Sequence, residues 1–190
     1  MFSDWTPRNL APHEENVEVY SNCETVELFL NGKSLGIKRK QGDSLHVMWR
    51  INYEPGILKA VSSRKGKTVL TRQIKTAGKP AKIQLVSDRK IIKADGSDLS
   101  FVTVKILDAD GNLVPDADNL VNFKIKGEGF IAGVDNGLQT SMEPFKASYR
   151  KAFNGLCLAI IQSKERAGKI ILEATSKGLQ PTQLTIVSKL

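Results

Sequence analysis

The segment from Val17 to Ile37 constrains the fold more than any other part of this chain. It reads VEVYSNCETVELFLNGKSLGI. Apolar residues alternate with other side chains in the run TVELFL, which is the period of a strand with one buried face. Asn31-Gly32 follows, and Asn-Gly accepts positive φ at both central positions of a type I′ turn. The segment therefore predicts a β-hairpin.

The same pattern of short strands and Gly- or Asn-centred turns continues to the C terminus, without a long segment of helical period. Strands recur about every ten residues, the spacing of small β-sandwiches. The pattern is interrupted at residues 78–80, where a proline cannot donate to a sheet. The sequence therefore predicts an all-β protein with a leader (residues 1–13) that we expect to be poorly ordered, a first sandwich (14–77), a linker (78–80) and a second sandwich (81–190).

The net charge of +8 does not indicate a nucleic-acid partner. Residues 1–78 contain 12 Lys/Arg and 8 Asp/Glu, and residues 79–190 contain 16 and 12, so each half is +4. No basic tail is present, and no stacking-aromatic motif accompanies the charge. We expect no nucleic-acid binding.

The sequence predicts neither a membrane span nor a signal peptide. No run approaches the roughly 18 apolar residues of a transmembrane helix. The first residues, MFSDWTPRNLAPHEEN, contain no apolar region of the signal-peptide type.

The sequence contains no pattern that is typical of a nucleophilic catalytic site or of a zinc site. Cys23 and Cys157 are far apart and form no CxxC, so we expect two small buried residues. His13 and His46 accompany no nucleophile motif and no ligand pair at zinc spacing. The sequence predicts no catalytic, cofactor-binding or metal-binding residue, and no cofactor.

The stretch Asp108-Ala-Asp-Gly-Asn resembles part of a calcium loop. An EF-hand needs oxygen ligands at alternate positions, a later glycine and a terminal glutamate. In this stretch the glycine comes too early, and no glutamate follows. Asp and Asn also favour turns through side-chain bonds to backbone N–H groups. We expect a hairpin turn, with a calcium site as the alternative.

Glycoside hydrolysis uses two carboxylates about 5–10 Å apart across a cleft. Most of the glutamates alternate with apolar partners as outward strand residues, which does not indicate such a pair. The glutamates considered are Glu24, Glu27, Glu54, Glu128, Glu143, Glu165 and Glu173.

Aromatic side chains are the remaining candidates for a binding role. Trp49 shares a strand face with neighbouring apolar residues, which predicts core packing. Trp5 is expected either to be exposed or to dock on another part of a larger protein. Trp5, Tyr149 and Arg150 are the possible carbohydrate contacts. The stretch Gly137–Arg150 lacks strand character, and loops of that length are usually functional or ordered by a neighbour.

The segments VEVYSNCETVELFLNGKSLG, YEPGILKAVSSRKGK and IKTAGKPAKIQLVSDR resemble the C-terminal accessory region of family 2 glycoside hydrolases, β-galactosidases of the gut Bacteroidetes type. The second half, with IKADGSDLSFVTVKILDADGNLVPDADNLVNFKI and AGKIILEATSKGL, fits the same region and is similar to bacterial invasin/intimin-type immunoglobulin-like domains. The resemblance implies two tandem immunoglobulin-like β-sandwich domains. In that family the catalytic residues lie on an upstream barrel, so none is carried over.

The resemblance implies a non-catalytic accessory fragment of a β-galactosidase, acting as a structural scaffold whose partner is the catalytic barrel of the parent chain. It also implies a periplasmic or extracellular location. Two alternatives remain open: a carbohydrate-binding module that tethers the enzyme to polysaccharide, and a cell-surface adhesion module.

Overall fold

A computed structural model describes residues 4–8 and 11–190 of the protein. All regular elements in this described part are strands, which confirms the all-β prediction. The chain divides into two compact units, the first ending at Thr76 and the second running from Ala77 to Leu190. No helix in the described residues is long and apolar enough to cross a bilayer.

The described residues of the first unit form six strands in two antiparallel sheets. The strands are β1 (Glu14–Tyr20), β2 (Thr25–Leu30), β3 (Lys33–Arg39), β4 (His46–Asn52), β5 (Ile57–Arg64) and β6 (Lys67–Lys75). One sheet has the order β3-β2-β5-β6, and the other pairs β1 with β4.

Alternate, apolar side chains of the strands fill the space between these two sheets. Val26, Leu28 and Leu30 of β2 are buried against Val47 and Trp49 of β4. Facing side chains from two sheets form the core of a β-sandwich. The predicted core position of Trp49 is therefore confirmed.

Two predicted hairpin turns have the required backbone. Asn31 and Gly32 have φ of 51° and 83°, and Asn154 and Gly155 have φ of 51° and 74°. Positive φ at both central residues is the signature of the two-residue type I′ loop.

The second unit contains nine strands. They are β7 (Lys82–Ser87), β8 (Ile91–Lys93), β9 (Leu99–Leu107), β10 (Leu120–Gly127), β11 (Gly129–Asp135), β12 (Tyr149–Lys151), β13 (Leu156–Ser163), β14 (Gly168–Thr175) and β15 (Thr182–Lys189). One sheet has the order β12-β10-β14-β15-β8 and the other β11-β13-β9-β7. All pairs are antiparallel except β15 with β8, which is parallel.

The core of the second unit lies between its two sheets. Val102, Val104 and Ile106 of β9 are fully buried, as are Ile170 and Leu172 of β14. These residues alternate with more exposed neighbours, so each sheet turns one face inward. The second unit is therefore also a β-sandwich.

One edge of this sandwich positions the candidate residues. β11 is an edge strand of the four-stranded sheet, and β12 is an edge strand of the five-stranded sheet. The chain between them, residues 136–148, forms the long loop noted in the sequence.

Candidate functional site

Trp5 is a core residue of the first unit. Its side chain is 5% exposed and packs in the same cluster as Trp49. Its indole N–H donates to the Glu54 carbonyl at 2.8 Å, and its ring lies 5.1 Å from that of Tyr53. The Thr76 hydroxyl donates to the Trp5 carbonyl at 2.8 Å.

These contacts correct one expectation. Trp5 is not exposed, because burying the large indole removes apolar area from water. In the described part of the leader, His13 stacks on Tyr53 with ring centroids 5.4 Å apart. Residues 1–3 and 9–10 of the leader lie outside the described residues.

Tyr149 and Arg150 point to opposite faces of β12. Successive side chains of a strand alternate between faces. Tyr149 is 38% exposed, whereas Arg150 is 1% exposed and lies opposite buried Val121. Strand alternation therefore prevents this pair from forming one surface site, because Arg150 is buried while Tyr149 faces outward.

The Arg150 guanidinium instead joins the two sheets of the second unit. Nη2 donates to Asp135 Oδ1 at 3.2 Å and to Asn136 Oδ1 at 3.1 Å. Nη1 donates to the Glu143 carbonyl at 3.0 Å. Since Asp135 ends β11 and Arg150 lies in β12, one side chain connects edge strands from opposite sheets.

The same group carries two further contacts. Arg150 Nε faces Glu143 Oε2 at 3.8 Å without a hydrogen bond among the described atoms. The guanidinium carbon lies 5.4 Å from the centre of the Phe145 ring, within cation–π range. A buried arginine requires paired charges and hydrogen bonds, and the loop supplies most of them.

Backbone bonds complete the ordering of the loop. Val134 N–H donates to the Phe145 carbonyl at 2.8 Å, and Phe123 N–H donates to the Ser148 carbonyl at 2.7 Å. The Asn136 amide donates to the Lys151 carbonyl at 3.0 Å. The loop is thus ordered by its neighbours, and Arg150 has a positioning role within it.

Sequence reasoning identified Arg150 but missed its partners. Asp135 and Glu143 lie 15 and 7 positions away, on an edge strand and in an irregular loop. No short motif links these three positions. The available signal was the arginine itself, placed where strand alternation points inward.

The two cysteines lie in different units and are both free and buried. Burial raises the pKa of the Cys157 thiol to about 12, and Glu143 adds to this rise while Arg150 opposes it. A thiol at that pKa supplies almost no thiolate at neutral pH. Cys157 is therefore a packing residue, as expected for a small buried side chain.

Asp108 organises the turn that follows β9. Its carboxylate accepts from Gly78 N–H at 2.8 Å, from Asn112 N–H at 2.8 Å and from the Asn112 amide at 2.9 Å. Burial opposes ionisation, but these hydrogen bonds outweigh it and lower the pKa of Asp108 to about 2. The carboxylate oxygens of Asp108 thus accept hydrogen bonds from N–H groups around the turn. This is the kind of turn that the sequence predicted for this stretch.

Three of the glutamates considered as catalytic acids, Glu27, Glu143 and Glu173, have local partners. Glu173 accepts from Lys126 at 2.8 Å across two strands, and this bond is the main cause that lowers the pKa of Glu173. Glu27 accepts from Ser34 at 2.6 Å. Glu143 faces Arg150. The bond from Lys126 favours the ionised carboxylate of Glu173, whereas a catalytic acid needs a raised pKa.

His13 is held by acceptors on both ring nitrogens. Nδ1 lies 2.6 Å from the Ala11 carbonyl, and Nε2 lies 2.9 Å from Glu15 Oε1. These two hydrogen bonds raise the pKa of His13, the backbone bond most strongly. Among the described residues, no cluster of three or more His, Cys, Asp or Glu side chains could hold a metal ion.

Each of the two units matches a known protein family. Residues 83–185 match the family described as Glycoside hydrolase family 2 C-terminal domain 5. Residues 13–70 match a domain of unknown function, DUF4982.

Individual relatives extend the similarity over the whole chain. A β-galactosidase, BoGH2A, of Bacteroides ovatus is 52% identical over 97% of this chain and 23% of its own length. A family 2 glycosyl hydrolase from Bacteroides cellulosilyticus has a TM-score of 0.93 at 41% identity, over 98% of this chain and 24% of that one. A β-glycosidase from Bacteroides vulgatus has a TM-score of 0.92 at 32% identity, with coverage of 98% and 24%. This chain therefore spans about a quarter of the length of the relatives it matches.

Proposed function

Because this chain belongs to the C-terminal region of family 2 glycoside hydrolases, we propose that it is a non-catalytic accessory part of a longer β-galactosidase. In that enzyme it acts as a structural scaffold for the catalytic barrel. The observation that carries this proposal is the share of lengths: nearly all of this chain matches about a quarter of a β-galactosidase.

The local chemistry supports the non-catalytic part of the proposal. Hydrolysis of a glycosidic bond needs one carboxylic acid with a raised pKa and a second carboxylate facing it. Asp108 and Glu173 both have lowered pKa values, and each is engaged by neighbouring donors. These acids stabilise turns and strand pairs.

The substrate and location proposed for the parent follow from its relatives. The parent hydrolyses β-galactosides, as the name of its 52% identical relative indicates. It acts in the periplasm or outside the cell, where a polysaccharide substrate is met.

The scaffold proposal is tested by deleting this region from the full-length parent. We expect faster heat inactivation, because the barrel loses a packed neighbour, with KM for a nitrophenyl β-galactoside nearly unchanged. The isolated chain should hydrolyse none of this substrate. Equal thermal stability with and without the region, or hydrolysis by the pure isolated chain, would contradict the proposal.

One observation favours the alternative of a carbohydrate-binding module. Tyr149 is 38% exposed on the outer side of its sheet, and an exposed aromatic ring can stack on a sugar. Affinity electrophoresis of the chain and of Tyr149→Ala in polysaccharide gels tests this. Retardation that the substitution abolishes would favour tethering over the scaffold role.

A further inference from the structure

The inner side of the first sandwich is covered unequally, because a four-stranded sheet faces a two-stranded one. Leu58 of β5 pairs with Ile74 of β6, and Ser62 pairs with Leu70. Directly paired residues lie on the same face of a sheet, so Ile74 and Leu70 point to the inner side together with buried Leu58. Leu70 is nevertheless 49% exposed. The inner face of β6 is therefore open.

An open groove lies between β6 and the edge of β1. One part of the groove, of about 430 Å³, is lined by Val17 of β1 and Ile74 of β6. The next part, of about 340 Å³, is lined by Val19 of β1 and Leu70 of β6. Val17 and Val19 pack against the core but remain only partly buried. Neighbouring strands lie about 4.8 Å apart and stacked sheets about 10 Å apart, so one further strand beside β1 would fill this groove.

The backbone of β1 has free hydrogen-bonding groups on the groove side. Ser21 N–H donates to the Leu45 carbonyl at 3.3 Å, which places Ser21 at a hydrogen-bonded position opposite the strand β4. Such positions alternate in an antiparallel pair, so the N–H and C=O groups of Asn16, Glu18 and Tyr20 point away from β4. Among the described residues, these groups have no hydrogen-bond partner. The β1 edge can therefore pair with another strand.

The opposite edge of the same sheet, on β4, is closed by side chains. Lys38 Nζ donates to the Met48 carbonyl at 2.6 Å and lies 5.4 Å from the centre of a Trp49 ring. The Ser44 hydroxyl donates to the His46 carbonyl at 2.8 Å. Lysine side chains on sheet edges commonly block further strand pairing. The two edges of this sheet thus differ, and the β1 edge is the one that accepts a strand.

The segment around Trp5 leads into this groove. Asp4, Trp5 and Pro7 line the groove beside the first half of β1. The hydrogen bonds of Trp5 with the Glu54 carbonyl and the Thr76 hydroxyl hold this segment in place. Consecutive strands that are joined by a short connection pair in the antiparallel sense. A strand that leads into this segment would therefore lie antiparallel to β1.

We propose that the segment of the parent directly preceding this chain adds to the β1 edge as an antiparallel third strand and covers the inner face of β6. Residues 83–185 match a C-terminal domain, so most of the parent precedes this chain. Constant-type immunoglobulin sandwiches have seven strands, whereas the described residues of the first unit form six. In strand addition, main-chain hydrogen bonds supply affinity and alternate side chains fill the pockets. This inference rests on the proposed function, because it requires a longer parent.

The charge of β1 disfavours a second copy of this chain as the occupant. β1 reads EENVEVY, with three glutamates and no basic residue. Pairing two β1 edges would bring these glutamates together, and like charges on adjacent strands are destabilising. A neutral or basic strand from the parent avoids this repulsion.

Amide hydrogen exchange tests the inference in three samples: this chain, the same chain lengthened by about ten preceding residues of the parent, and the full-length parent. Exchange at Glu18 and Tyr20 should be about tenfold slower or more in the last two samples, because their N–H groups become hydrogen-bonded. Arg39 is the matched control. Lys40 N–H donates to the Glu24 carbonyl, so the neighbouring Arg39 N–H points away from β2 at another sheet edge. Exchange at Arg39 should change little.

Three results would overturn the inference. Equal exchange at Glu18 in all samples shows that the β1 edge stays open. Slowing in the parent but not in the lengthened chain shows that the strand comes from another part of the parent. Slowing in this chain as its concentration rises identifies a second copy as the occupant.

Two variants at neighbouring positions of β6 test whether the groove is filled. Leu70→Asp places a carboxylate in the groove, whereas Thr71→Asp places one on the opposite face of the strand. In the lengthened chain, Leu70→Asp should lower the urea midpoint of Trp49 fluorescence by about 1 M more than Thr71→Asp, because a buried unpaired charge is costly. Equal midpoints of the two variants in the lengthened chain would contradict the inference.

The lengthened chain separates this inference from the scaffold proposal, since it contains none of the catalytic barrel. If deletion of the whole region destabilises the parent but Glu18 exchanges equally in all samples, the scaffold function stands and the third strand is wrong. If Glu18 is protected in the lengthened chain while the deletion is silent, the third strand stands and the scaffold function is wrong.

Discussion

At the scale of the residue, Asp108 shows how a nearly buried carboxylate stays ionised. It is 4% exposed, which disfavours charge, yet its hydrogen bonds lower its pKa to about 2. A depressed pKa contributes stability that is present above the unfolded pKa near 3.9 and lost as pH falls through the folded pKa. Asp108 therefore makes the second unit acid-sensitive below about pH 4.

Asp108→Ala tests this coupling. At pH 7 we expect the free energy of unfolding to fall by about 2 kcal/mol, from the pKa shift at about 1.4 kcal/mol per unit and the donors left unpaired. The difference from the unaltered chain should shrink between pH 4 and pH 2. Urea titrations followed by circular dichroism across this range measure it, with exposed Asp118→Ala as the control. A difference that does not change with pH contradicts the assignment.

Trp5 is a second residue whose burial has a direct consequence. Trp5→Ala should lower the free energy of unfolding of the first unit by about 3 kcal/mol, because it removes a large core side chain. Trp49 fluorescence in urea reports the transition. Tyr20→Ala is the control, since Tyr20 is 56% exposed. An unchanged midpoint for Trp5→Ala would return Trp5 to the surface role expected from the sequence.

At the scale of the element, strands and tight turns were predictable from the sequence, whereas their long-range partners were not. Alternation and Asn-Gly pairs are local signals, and Asn154-Gly155 is a hairpin turn as predicted. The parallel pairing of β8 with β15 joins segments almost a hundred positions apart. The Arg150 contacts likewise depend on how two sheet edges meet, which no local spacing encodes.

The turn at Gly155 should tolerate substitution much less than an open turn in the same unit. Gly155 has φ +74°, and an added Cβ would lie 2.3 Å from the Val114 carbonyl oxygen. Gly178 has φ +78° and no atom within 4 Å of that position. Gly178→Ala should cost about 1 kcal/mol from backbone strain alone, and Gly155→Ala about 3 kcal/mol or more. Urea unfolding followed by circular dichroism measures both costs, and equal costs would show that the Val114 contact relaxes freely.

The loop held by Arg150 provides a test of its positioning role. Arg150→Met retains much of the buried volume but removes the charge that joins β11 and β12. We expect the second unit to lose about 2–3 kcal/mol, less than a fully buried ion pair, because Asp135 is 45% exposed. Circular dichroism in urea measures this loss.

Proteolysis distinguishes loop ordering from general stability. Lys146 is an exposed trypsin site within the loop, so limited trypsin digestion of native Arg150→Met should cleave there faster. Tyr149→Met is the control, since its side chain points to the outer face. Equal cleavage at Lys146 in both variants would show that the loop is ordered without Arg150.

At the scale of the whole molecule, the sequence predicted the fold class and family, but not the allocation of its surfaces. The two sandwiches follow from alternation, which marks buried positions wherever one face meets a core. The side on which an outward residue lies depends on the strand register, and only the register places Phe101, Leu158 and Val86 together on the outer side of the four-stranded sheet. Trp5 was misassigned for a related reason, since a lone tryptophan in a polar segment gives no local sign of its distant core.

The two units should differ in stability. The second buries a much larger apolar cluster than the first. In the first, almost all of β6 is exposed, and Leu70 remains 49% exposed. Since burial of apolar area is the main favourable contribution to folding, the first unit should unfold at lower urea.

The chain contains its own reporters for this difference. Both of its tryptophans, Trp5 and Trp49, lie in the first unit, and each unit contains one buried cysteine. In rising urea, tryptophan fluorescence should change together with labelling of Cys23 by a thiol reagent. Cys157 should become reactive only at higher urea, as read by mass spectrometry of the labelled peptides. Coincident transitions at all three probes would mean that the units unfold as one cooperative body, and earlier labelling of Cys157 would mean that core size does not determine which unit is weaker.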